Sequence, residues 1–326
     1  SAPGGNGNGV FNFMAKSLDF LRQKSVDIAL RQETQLKIPD VHRCQNRHYR
    51  IAASSSAPNK TKGVSILIKR NLNLNILESG ADSNGRFSFI KCNFDSVKIV
   101  VDNNLDRMCN TQALNQSNAS SNLLRDFMTD LNLIDPWRTI NPSNRDFTFF
   151  SSQHKSYLRI DYIFISAGSL KYVTDISILP ILISDHSPVM LKFNPSQYIP
   201  SKNRWRFTVF LLQNSDFFKF IKREITYFLE KNKHTDVNPQ MLWEATKCHL
   251  RGHCISYASY LSKMRLAEML DPESQIGQIE VCQKWDFQDH RAKMFEHLKS
   301  EYKLLTTQRA EFLLLRTRQK YYGSAQ

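Results

Sequence analysis

The sequence predicts an α+β protein, with a layered α/β sandwich over residues 1–195 and an α-helical region over residues 196–326. Three observations carry that prediction. Short apolar runs of strand length recur through the first part, with amphipathic helical stretches between them. Composition shifts near residue 195, where Pro195, Pro200 and a polar stretch read as a linker. Beyond it, long basic segments with few glycines carry apolar residues at helical spacing. At 326 residues, 41% of them apolar, the chain is long enough for one large domain or two smaller ones with real cores.

The elements follow in order. Residues 1–9 read as a flexible lead-in. A helix is expected over 11–24, because Phe11, Met14, Leu18 and Leu21 recur at helical spacing. Residues 26–30 are a short apolar run ending at Arg31-Gln32-Glu33-Thr34, a buried strand whose carboxy end delivers a carboxylate. Residues 63–69 (GVSILIK) are a second strand; 87–92 and 97–101 are a third and fourth, with a turn at Asp95-Ser96. An amphipathic helix is expected over 121–132, from Leu123, Leu124, Phe127, Met128 and Leu131. Residues 146–150, 159–165 and 187–193 complete the strands. In the helical region, residues 215–231 place Phe217, Phe220, Ile221, Ile225 and Phe228 on one side. Residues 239–268 and 290–321 continue in the same style, with a break expected at Asp271-Pro272.

Charge narrows the partners. Lys plus Arg outnumber Asp plus Glu by 44 to 30, a net +14, which suits a polyanion such as nucleic acid. No apolar run approaches the ~20 residues a bilayer needs, so no membrane partner is expected. The six cysteines contain no C-x-x-C pair, and reduced thiols point to an intracellular protein, nuclear or cytoplasmic. His249 and His253 lie beside Cys248 and Cys254, but no second ligand pair has finger-like spacing. With no sign of a secretory leader, the N-x-S/T triplets at Asn59, Asn115 and Asn118 read as chance in an Asn-rich chain.

Four short elements carry chemistry together: Asn6-Gly7-Asn8-Gly9, Gln32-Glu33-Thr34, Arg159-Ile160-Asp161-Tyr162 and Ser184-Asp185-His186-Ser187. Each lies at or just after the end of an expected strand, and strand ends from distant parts of a chain converge on one rim of a layered sheet. Cleaving a phosphodiester develops negative charge on the phosphorus oxygens. A hard divalent cation neutralises it, and Mg²⁺ prefers one or two carboxylates plus water. Glu33 suits that ligand role. His186 is the rim histidine with a carboxylate beside it in sequence, and a second carboxylate would orient its ring. Taken singly, each element also has an ordinary reading as a solvated loop residue or a turn.

The ordered set N-x-N-G, Q-E-T, G-V-x-I-L, T-F-F-S, R-I-D-Y-I and S-D-H-S resembles the apurinic-type endonuclease domain of LINE-1 retrotransposon polyproteins, within the endonuclease/exonuclease/phosphatase superfamily. Trp205-Arg206-Phe207, Leu242-Trp243-Glu244-Ala245, Leu250-Arg251-Gly252, Ile255-Ser256-Tyr257 and residues 312–318 resemble the helical stretch before the reverse transcriptase in the same polyproteins. The resemblance implies a four-layer sandwich. It also implies Mg²⁺ (Mn²⁺ as the alternative), a DNA substrate with RNA as a further partner, and no small-molecule cofactor. By the same resemblance Glu33 is a metal ligand, Asp161 holds the catalytic His186, Asp185 supports the metal and its water, and Asn6 sits beside the metal. Thr148 falls at a DNA-facing loop element.

Two motifs of the family are missing: a strand ending in N-x-Y-A-P, and one ending in G-D-F-N. The chain runs from Lys98-Ile99-Val100-Val101 directly into Asp102-Asn103-Asn104, as though a strand–helix–strand unit of roughly 30 residues or more were deleted. Asp102 and Asn104 copy the D-x-N spacing and are candidate substitutes; the alternative is that they belong only to the loop after the deletion. Only Ser1–Gly5 precede Asn6, where the family carries an apolar strand. Two functions are therefore expected: a Mg²⁺-dependent strand-nicking endonuclease, degenerate in its site, or a catalytically inactive nucleic-acid-binding remnant. A small-molecule phosphoesterase is a third reading, which the retrotransposon-like tail disfavours. In that tail Arg309, Arg316, Arg318 and Lys320 read either as nucleic-acid contacts or as the solvated face of a scaffold.

Overall fold

A computed structural model describes residues 7–58, 62–94, 97–104, 126, 128–151, 153, 156–195, 205, 207, 209–232, 238–285 and 288–322. It divides into two compact units that do not follow chain order. One contains residues 1–199 and 273–317; the other contains residues 200–272 and 318–326. No described helix is long and apolar enough to cross a membrane.

The first unit is built on two three-stranded antiparallel sheets. One has the order β1 (Ile28–Arg31), β3 (Gly63–Lys69), β2 (Tyr49–Ser56). The other has the order β4 (Leu74–Ala81), β5 (Phe87–Phe94), β6 (Val97–Asn104). Residues 63–69 form the expected strand over the expected bounds, and the physical reason is visible in its neighbours. On a strand, alternate side chains leave by opposite faces. Ile66 and Ile68 pack toward the second sheet with Ala53, Leu74, Ile90 and Cys92. Leu67 packs on the other side with Ala29, Tyr49 and Leu18 of helix α1 (Gly7–Gln23). A strand buried on both faces reads as an unbroken apolar run, and each fully buried Ile contributes about 1.5–3 kcal/mol.

Helix α1 starts at Gly7, so the lead-in expected over residues 1–9 is helical from its seventh residue onward. Asn and Gly are poor helix formers, but Met14 and Leu18 are anchored in the core. Tertiary packing of one face supplies most helical stability. Smaller two-stranded antiparallel sheets complete the unit: β7 (Leu133–Ile134) with β10 (Ile165–Ser166), β8 (Phe149–Ser151) with β9 (Ser156–Leu158), and β11 (Val173–Ile178) with β12 (Val189–Phe193). Residues 159–164 form no strand, against expectation. Most of the helix expected over 121–132 lies outside the described residues, including Leu123, Leu124 and Phe127. So does the linker at residues 196–200.

Helices α3 (Ser215–Asn232), α4 (Pro239–Trp285) and α5 (Asp289–Tyr322) follow the short α2 (Pro136–Ile140). Helix α4 runs unbroken across Pro272, where a break was expected. A proline removes one backbone donor and costs ~3 kcal/mol in a helix interior, yet the helix continues on both sides of it. Glu273 begins the stretch of α4 that belongs to the first unit. There Ile276 and Glu280 are buried, as are Leu298, Tyr302 and Ala310 of α5. Lys24 pairs with Glu273, and Arg309 Nε lies 2.6 Å from Asp19 Oδ2. Arg309 is thus engaged with a buried carboxylate of α1, as its scaffold reading expects. The side chains of Arg316, Arg318 and Lys320 lie outside the described residues.

Candidate active site at the sandwich rim

His186 follows the Ser184-Asp185 turn, and local bonds fix its place. Ser184 Oγ accepts from the His186 N–H at 3.1 Å and donates to the His186 carbonyl at 3.0 Å. His186 also forms a backbone bridge with Phe149 at the start of β8, and the Ser187 N–H donates to the Thr148 carbonyl at 2.6 Å. The imidazole rests against the Phe149 ring with 4.9 Å between centroids. Its Nδ1 lies 2.8 Å from Asp161 Oδ2.

Asp161 is delivered by an irregular segment held by side chains. Thr148 is fully buried, and its Oγ1 accepts from the backbone N–H groups of Ile160 and Asp161, both at 3.0 Å. Its side chain therefore faces inward, correcting its reading as a DNA-facing element. Just upstream, Arg159 makes a two-pronged pair with Asp135 at 2.7 and 2.9 Å and lies between the Trp137 and Tyr162 rings, 4.5 and 4.7 Å from their centroids. Such planar bidentate pairing fixes geometry as well as adding energy. These bonds replace the ladder that the apolar run over 159–165 suggested.

Glu33 lies two residues past β1 with its backbone at φ +51°, and Gln35 follows at φ +50°. A non-glycine residue in the left-handed region is uncommon and marks a strained or functional turn. Buried Thr34 anchors it through its N–H to the Gly63 carbonyl at 3.0 Å, leaving Glu33 exposed. The charges around His186 connect these segments. Burial opposes its charged form, but the Asp161 bond and charge, with the charges of Asp185 and Glu33, raise its pKa above the ordinary 6.5. Glu33, Asp161 and Asp185 are thus brought into the electrostatic neighbourhood of one imidazole, from three distant parts of the chain. Asp185 itself is exposed.

Asn6 lies outside the described residues; Asn8 and Gly9 fall in the first turn of α1. Asp102 and Asn104 lie on β6, paired with Phe89 and Phe87 of β5. Asp102 is exposed, whereas Asn103 between them is buried. Asn103 Nδ2 donates to the Arg31 carbonyl at 2.8 Å and to the Ser65 carbonyl at 3.2 Å. By strand alternation Asp102 leaves β6 on the opposite face from this contact with the end of β1. Asn103, which the sequence reading passed over, is the residue of the trio that reaches the strand delivering Glu33.

A second missed feature is the brace behind His186. Glu280 of α4 is 2% exposed and accepts from the Ile181 N–H at 2.9 Å and from Ser187 Oγ at 3.4 Å. Lys284, one turn on, lies 3.0 Å from Glu280 and 2.5 Å from Asp146 Oδ1. Gly277 allows the approach, since a Cβ there would meet Pro180 Cγ at 3.2 Å. Helical residues late in the chain therefore hold the loop that carries Ser184 to Ser187. The signal was a Glu and a Lys four apart, common on any solvated helix.

The class that the fold and site define is an α+β protein of antiparallel sheets and helices in which a carboxylate holds a histidine. In sequence the chain is similar to a transposon-encoded protein, the transposon TX1 uncharacterized 149 kDa protein of Xenopus laevis. It is 28% identical over 153 residues, which are 46% of this chain and only 12% of that protein's length. No protein-family profile matches the chain. Similar solved structures include the endonuclease domain of TRAS1, a telomere-specific non-LTR retrotransposon, with TM-score 0.40, 12% identity, and coverage of 57% of this chain and 93% of that one. Another is humanized D. rerio TDP2, with TM-score 0.42, 14% identity, and coverage of 59% and 96%.

Proposed function

We propose that the chain is a divalent-metal-dependent DNA endonuclease that hydrolyses a phosphodiester bond in one strand, with Mg²⁺ as its ion. The observation that carries this reading is the 2.8 Å pair of His186 Nδ1 with Asp161 Oδ2, on whose ring the charges of Asp185 and Glu33 also act. The donor set fits a hard cation, because Glu33 and Asp185 offer exposed carboxylate oxygens and no soft ligand. Those two residues would hold the ion, which would neutralise charge growing on the phosphorus oxygens.

The chain's own residues do the rest. Asp161 occupies Nδ1 of His186, which leaves Nε2 for substrate. With its pKa raised, the ring keeps its proton to higher pH than a free imidazole, and in that form it donates from Nε2 to a non-bridging oxygen of the scissile phosphate. Asp185 adds a second carboxylate beside the ring and orients the attacking water. The net +14 charge holds the DNA backbone with little sequence reading. The sandwich of residues 1–195 would carry this chemistry.

A second reading, an inactive nucleic-acid-binding remnant, is favoured by one observation: Asp102, the candidate replacement for the missing G-D-F-N aspartate, leaves β6 away from the end of β1. Nicking of supercoiled plasmid separates the two. The endonuclease reading expects Mg²⁺-dependent nicking that falls about 10²–10³-fold in His186→Ala and Glu33→Ala. Plasmid binding without cleavage, unchanged by either substitution, supports the remnant.

A further inference from the structure

The second unit contains a seam between α3 and α4 whose composition changes abruptly at its centre. Phe217, Phe220, Ile221, Ile225 and Phe228 form the apolar stripe of α3, and Leu250, Cys254 and Tyr257 form its counterpart on α4. The helices run antiparallel along the seam. Phe217 meets Tyr257 with 5.0 Å between centroids, Phe220 meets His253 at 5.7 Å, and Phe228 stacks on His249 at 4.5 Å. Glu224 lies in the middle of the α3 stripe, where the spacing calls for another apolar residue. Opposite it stand two imidazoles, one helical turn apart.

Their ligand atoms converge. Glu224 Oε2 lies 3.7 Å from His253 Nε2 and 3.9 Å from His249 Nε2, and the three residues each offer a ligand atom within 4.8 Å of the others. These separations are too long for hydrogen bonds. His249 Nε2 is buried and has no hydrogen-bond partner, and Glu224 is only 17% exposed. A buried nitrogen without a partner is costly, and a half-buried carboxylate among aromatic rings needs a counter-charge. The neighbouring Arg223 approaches Glu224 only to 3.6 Å and is 73% exposed. Donors around a tetrahedral Zn²⁺, each ~2.0–2.1 Å from the ion, stand roughly 3.3 Å apart, so closing on the ion takes side-chain shifts of up to about 1 Å.

We propose that Glu224, His249 and His253 form a zinc site that clips α3 to α4, with the fourth position open to water. Two imidazoles and a carboxylate suit this borderline ion, and i,i+4 histidines present both ligands on one helix face. Cys248 and Cys254 flank the histidines but are not among the converging atoms. The site shares no residue with the Glu33–His186 set and does not depend on nuclease activity.

The test uses the full chain, stripped with chelator, loaded with Zn²⁺ and dialysed against metal-free buffer. About one zinc per chain should be retained by the wild type and by Glu33→Ala. His253→Phe, which suits the aromatic seam while removing a donor, and Glu224→Gln should weaken zinc by more than about 10-fold. Both should keep the wild-type far-ultraviolet circular dichroism. Co²⁺ in place of zinc should give a visible band without thiolate charge transfer. Zinc should also raise Tm in the wild type but not in His253→Phe. No zinc retention, retention unchanged in both variants, loss in Glu33→Ala, or a thiolate band with Co²⁺ would each overturn the proposal.

Discussion

His186 Nδ1 and Asp161 Oδ2 meet at 2.8 Å across 25 residues of sequence, each side chain about a third exposed. The pair fixes which ring nitrogen faces substrate and lifts the proton affinity of the ring. Because the folded pKa lies above the ordinary 6.5, the stabilisation from this pair is fully present below that value and fades as pH rises through the folded pKa. Asp161→Asn removes the charge and keeps the size. The upper-pH fall in phosphate-dependent DNA binding is expected to move to lower pH, and a ring titration of His186 by NMR checks it.

Thr148→Val tests how Asp161 is placed. The valine keeps the volume but leaves the Ile160 and Asp161 N–H groups without their acceptor. A loss of about 1–3 kcal/mol in denaturant unfolding is expected, with nicking reduced further than stability explains. Thr148→Ser should restore most of both.

Glu280→Ala tests the brace behind the histidine loop. It strips the acceptor from the Ile181 N–H and one carboxylate from the buried Lys284. Breaking one partner of a buried pair costs about 3–5 kcal/mol, measurable by chemical denaturation. The double substitution Glu280→Met with Lys284→Met should cost less than Glu280→Ala, because it leaves no lone buried charge.

Ile66→Ala tests the contact between the two main sheets. Ile66 is fully buried against Ala53, Ile90 and Cys92, so a loss of about 2–5 kcal/mol is expected in the same measurement.

What the sequence disclosed depended on how local each signal was. Strand β3 was legible because burial on both faces leaves an unbroken apolar run. Strands β2 and β4 were missed: β2 ends in Ser54-Ser55-Ser56, two of them buried, and β4 is largely exposed. Residues 159–164 misled because their apolar content serves side-chain packing around Arg159 rather than a ladder. The motif residues around His186 were legible as a set, since their order along the chain is distinctive. Asn103, Glu280 and Glu224 were not, because each acquires its partner only when segments tens of residues away return to it.

The measurement that bears most directly on the rim site is Mn²⁺-induced broadening of the His186 ring signals in labelled protein, assigned by their loss in His186→Gln. If Glu33 and His186 flank one divalent ion, sub-stoichiometric Mn²⁺ should broaden those signals in the wild type, excess Mg²⁺ should reverse it, and Glu33→Ala should abolish it. Sharp His186 signals at saturating Mn²⁺, or broadening that persists unchanged in Glu33→Ala, would contradict the site.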